Sequence, residues 1–156
     1  MSLKTIVASV FALFLLAGCA PKFQVTVPEG WKVAKELNEE GVQAKLLVNA
    51  KEDIAIKVFC VPAEQVPVEE ALKSTVDLVN QAQGQIVEQD LAADKSSSRV
   101  VFTVTVDGTD LAGRQVFKLS SYKHAKALLI SSVWLAAQDA EAAKAFEIIA
   151  ASADFK

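Results

Sequence analysis

The side chains able to do chemistry in this 156-residue sequence are few and scattered. There is one histidine, His124, and an imidazole can act as a general base or a metal ligand. Its neighbours Lys123 and Lys126 are basic and no carboxylate is close in sequence to orient the ring, so His124 is expected to be a solvated residue at a hairpin tip. The serines at 96–98, 120, 121, 131 and 132 lack the Gly-x-Ser-x-Gly elbow that presents a nucleophile. Asp107-Gly108-Thr109-Asp110 offers hard oxygens of the kind calcium wants. The later ligands of a twelve-residue loop are missing, however. Positions five, nine and twelve from Asp107 are Leu111, Gln115 and Lys118, and a hairpin connection is expected instead. The adjacent carboxylates Glu39-Glu40 and Glu69-Glu70 would point apart on a strand or sit offset around a helix, which suits solvated faces. Trp31 and Trp134 could stack a ligand, but core packing is the expected role. No catalytic, cofactor-binding or metal-ligating set is expected.

The remaining chemistry belongs to two sulfurs, Cys19 and Cys60. Lys4 gives the N-terminus a short positive start, residues 6–16 are apolar except for Ser9, and small residues lead into Cys19. Eleven residues are too few for a membrane span, which needs about 20, and the pattern is that of an export signal. Leu16-Ala17-Gly18-Cys19 resembles the lipobox of bacterial lipoproteins. That resemblance implies diacylglycerol transfer to the Cys19 sulfur, cleavage between Gly18 and Cys19, and acylation of the new amine. Two or three acyl chains, at about 0.8 kcal/mol per buried methylene, would make attachment to membrane lipid effectively permanent. Ala20 follows the cysteine in place of aspartate, which by the same resemblance favours the outer membrane, facing the periplasm.

Residues 1–18 are thus expected to be a signal peptide and 19–22 a lipidated cysteine with a short tether, leaving one globular domain over 23–156. Removing Lys4 leaves 15 basic and 19 acidic side chains, a formal charge of −4. The basic residues form no stripe, which argues against nucleic acid as a partner. With Cys19 modified, Cys60 is expected to have no intramolecular disulfide partner. In Ile54-Ala55-Ile56-Lys57-Val58-Phe59-Cys60, a period of two places it on the face of Ile54, Ile56 and Val58 as a small core residue.

Periodicity supplies the scaffold. Residues 23–27 alternate and end at Pro28-Glu29-Gly30, a turn sequence. Trp31, Val33, Lys35 and Leu37 are expected on one face of a second strand. In a third strand Val42, Ala44, Leu46 and Val48 face one way, and Gln43, Lys45, Leu47 and Asn49 the other. A fourth strand runs over 54–61, and the short turns make this first third an antiparallel meander. Pro67, Glu69 and Glu70 then open a helix with Val68, Leu72, Val76 and Val79 at helical spacing, ending by Gly84. A weaker strand is expected at 85–91 and firmer ones at 99–106, 114–122 and 127–136. The last is apolar on both faces and must be covered on both. Asp139 is the expected N-cap of a closing helix with Ala142, Phe146, Ile149 and Ala153 on one stripe.

This order, with the opening Phe23-Gln24-Val25-Thr26-Val27-Pro28-Glu29-Gly30-Trp31 and the closing Ile149, Ser152 and Phe155, resembles the PsbP type of domain. That domain occurs in photosystem extrinsic subunits and in DcrB-type envelope lipoproteins. The implied fold class is α+β, a central antiparallel sheet of about seven to eight strands with helices packed over it as an α/β/α sandwich. The implied role is a lipid-anchored, non-catalytic binding or assembly module with an envelope protein as partner. The alternative is a periplasmic small-ligand carrier or an enzyme whose site is assembled from distant residues near Tyr122, His124 or Trp134.

Overall fold

The structure is a computed structural model and describes residues 23–39, 42–62, 66–120 and 126–155. Seven strands form one antiparallel sheet: β2 (Trp31–Glu39), β3 (Val42–Asn49), β4 (Ala55–Pro62), β5 (Gln85–Leu91), β6 (Ser97–Val106), β7 (Thr109–Leu119) and β8 (Lys126–Leu135). Their order across the sheet is β2-β3-β4-β8-β7-β6-β5. Two helices, α1 (Val68–Gln81) and α2 (Asp139–Ser152), cover opposite faces, and a small two-stranded sheet pairs β1 (Phe23–Gln24) with β9 (Asp154–Phe155). The expected α/β/α sandwich is what forms.

The layers follow from side-chain alternation. On β8, Leu128, Ile130 and Trp134 join Ala142, Ala145, Phe146 and Ile149 of α2 in one core cluster. Its intervening Ala127 and Leu129 join Val68 and Ala71 of α1, and Val133 packs beside Val79. A strand apolar on both sides thus has a helix over each. The α2 stripe is as the spacing predicts: Ala142, Phe146, Ile149 and Ala153 are all fully buried. The N-cap of α2 is Gln138, not Asp139. Asp139 is the first helical residue, and its carboxylate instead accepts from Trp134 Nε1 at 3.1 Å.

The Asp107-Gly108 hairpin is confirmed in detail. Val106 pairs with Thr109, and the two residues between them have φ of 51° and 76°. This is the all-positive geometry of a two-residue primed turn, which Asp-Gly tolerates and most pairs do not.

Two expectations about the strands need correction. Residues 23–27 do not form a hairpin with β2. The turn at Gly30 (φ 76°) diverts the chain, and Phe23 pairs with Phe155 from the far end of the sequence, their rings edge to face at 6.2 Å. The reason is burial, since this arrangement leaves both rings under 8% exposed. Second, Trp31, Val33, Lys35 and Leu37 do not share a face. The register slips between Val33 and Lys35, so Trp31 and Val33 lie opposite Asn49 and Leu47, while Lys35 and Leu37 lie opposite Leu46 and Ala44. Leu47, on the face that alternation gives it with Gln43, Lys45 and Asn49, is fully buried beside Ile56 in the cluster under α2.

Strand β5, at the other edge, also slips, between Ile86 and Glu88. Bulges on both edge strands interrupt the row of free backbone groups that would otherwise recruit a foreign strand.

Gly113 of β7 explains one close approach. It pairs with Phe102 of β6, and a Cβ there would lie 2.2 Å from Phe102 Cζ. The ring lies over the glycine, so Gly113→Ala forces a buried phenylalanine to move. Overpacking of this kind should cost about 1–3 kcal/mol, read as a lowered urea midpoint with an unchanged slope.

Candidate functional site

Cys19, Gly18, Tyr122 and His124 lie outside the described residues, as do the tether residues 20–22. The other candidates are placed. Trp134 is 3% exposed, its ring edge-on to Phe146 at 6.2 Å, so it is a core residue rather than a stacking platform. Trp31 is partly buried against the same cluster. Asp107 and Asp110 are separated by the turn, and Asp110 Oδ1 accepts from Thr105 Oγ1 at 2.7 Å. Glu69 and Glu70 are exposed in the first turn of α1, where the helix dipole favours acids. Among the described residues no group of three or more His, Cys, Asp or Glu is placed to hold a metal ion.

Cys60 lies on the expected face with Ile54, Ile56 and Val58 and is 8% exposed. Its sulfur is disulfide-bonded rather than free, which corrects the expectation of an unbridged thiol. That expectation assumed the other cysteine to be already consumed by lipid.

The structure assembles two polar groupings that the sequence alone does not reveal. Under α2, Arg99 of β6 and Arg114 of β7 converge on Glu147. Arg99 holds both carboxylate oxygens, Nη1 at 3.0 Å, and Arg114 Nη1 stands at 3.4 Å from Oε1. Arg99 Nε also meets Glu88 at 3.0 Å, and Arg114 Nη2 meets Asp139 at 3.5 Å. The fork geometry of arginine suits such bidentate pairing. The hydrogen bond from Arg99, helped by both guanidinium charges, holds the Glu147 carboxyl below its usual range. The cluster is a clamp between α2 and the sheet, in which the buried Arg114 Nε makes no hydrogen bond.

The clamp has a pH signature. A carboxyl whose folded pKa is depressed stabilises the fold above its unfolded pKa and loses that contribution as pH falls through the folded value. Glu147→Gln should therefore be less stable than the parent by about 1 kcal/mol at neutral pH, a modest figure because the pair is half-exposed. The gap should close as the buffer is taken below the unfolded carboxyl pKa of about 4.3. Urea melts at a series of pH values would check this; a gap that stays constant into strong acid would assign the effect to packing.

The second grouping is a polar row on the α1 face. Lys57 of β4 lies opposite Ser131 of β8, which lies opposite Gln115 of β7. Gln115 donates to Thr75 of α1, and Thr75 donates to Ala71 O at 2.9 Å, so a buried hydrogen-bonded link joins helix to sheet. Burial pushes the Lys57 ammonium pKa down. Serine with a desolvated lysine is a known nucleophile–base combination. Here Ser131 is only 6% exposed and its Oγ makes no hydrogen bond, so the geometry lacks both substrate access and an activated hydroxyl. A separate cleft lined by Phe23, Glu36, Asn38, Gln43 and Lys45 holds about 10 Å³, room for one water.

With this geometry in hand, comparison with solved structures decides the architecture. The cyanobacterial PsbP protein (CyanoP) of Synechocystis sp. PCC 6803 superposes with a TM-score of 0.55 at 12% identity, covering 86% of each chain. The chain has the PsbP-like fold. The same fold is shared with LpqN, described as involved in cell envelope biogenesis of Mycobacterium tuberculosis. That match has a TM-score of 0.55 and 11% identity, and covers 88% of this chain and 84% of LpqN. It is shared also with the Ran-binding protein Mog1p of Saccharomyces cerevisiae, with a TM-score of 0.60 and 10% identity, covering 85% of this chain and 89% of Mog1p. No protein-family model and no curated protein sequence matches the chain. Among the described residues no helix is long and apolar enough to cross a membrane.

Proposed function

We propose that this PsbP-like domain is a lipid-anchored, non-catalytic envelope protein that works as a binding or assembly module at a membrane surface. The observation that carries this reading is the placement of Leu16-Ala17-Gly18-Cys19. It closes an 11-residue apolar run, and its cysteine stands four residues before Phe23, where the chain is already locked into the fold by pairing with Phe155. Acyl chains on Cys19 would hold a folded body directly against the headgroups. Support comes from the fold's company: LpqN is described as acting in cell envelope biogenesis and Mog1p as binding Ran, an envelope role in one and a protein partner in the other. The Arg99–Glu147–Arg114 cluster and the Thr75–Gln115 link read as structural, and neither supplies a nucleophile with a base and an open approach. In a two-membrane cell, Ala20 favours the outer membrane.

The expected partner is an envelope protein. Crosslinking in the native membrane followed by affinity purification should recover a specific adduct, enriched over a control lipoprotein of similar abundance. Recovery of monomer alone under conditions that trap known envelope complexes would refute the assembly role.

A further inference from the structure

We draw no further inference here: the strongest candidate, the apolar patch of Leu37, Ala44 and Leu46 on the α1 face of β2 and β3, is a sheet face with nothing among the described residues to show what covers it.

Discussion

Cys19→Ser should release the protein from membranes completely. A single myristoyl chain holds a protein only marginally, with an association constant of about 10⁴ M⁻¹, and each further buried methylene adds about 0.8 kcal/mol. Two or three chains therefore bind by a margin that no change in salt reverses. Serine cannot form the thioether, so the whole of that margin depends on one atom. No strand pairing among the described residues is lost, since these begin at Phe23. Fractionation should move the variant out of the membrane pellet. The mature N-terminus should change from a lipidated Cys19 peptide to an uncleaved or unlipidated one. If parent and variant pelleted alike, both unclipped and without lipid mass, anchoring through Cys19 would be excluded.

Phe146→Ala should produce the largest loss of stability. Phe146 is fully buried at the centre of the α2 stripe, its ring against Trp134, with Leu128 and Ile130 in the same cluster. Truncation removes the transfer free energy of the ring and leaves a cavity that the rigid sheet below cannot collapse into. The expected cost is about 3–5 kcal/mol. For a domain of this size that is roughly 10–20 °C in Tm. Conservative Phe146→Leu should recover most of it. Thermal melts of the Cys19→Ser background would give the comparison in soluble form. A shift of only a degree or two for the alanine variant would mean that α2 is not held by its apolar stripe, and that the Arg99–Glu147–Arg114 clamp carries the attachment instead.

Taken together, the variants separate anchoring from folding. Cys19→Ser is expected to change location, while Phe146→Ala, Gly113→Ala and Glu147→Gln are expected to change stability.

Much of this architecture was legible in the sequence because its determinants are local. The α2 stripe repeats at helical spacing, the β4 face of Ile54, Ile56, Val58 and Cys60 repeats at two, and Asp107-Gly108 names its own turn. The two-sided apolar run of β8 required cover on both faces and received it from α1 and α2. Each of these depends on neighbours within one or two turns of chain, and periodicity reports such neighbours directly.

What only the tertiary structure decided depends on partners far apart in sequence. Phe23 finds Phe155 from the opposite end of the chain, and Phe102 lies over Gly113 because register sets them opposite each other. Arg99 and Arg114 meet Glu147 only once β6, β7 and α2 are stacked. The slip after Val33 turns Lys35 and Leu37 to the other face, although the alternation itself reads without a break. A bulge inserts one residue into a pairing, and pairing is a property of two strands, so no periodicity within one of them records it.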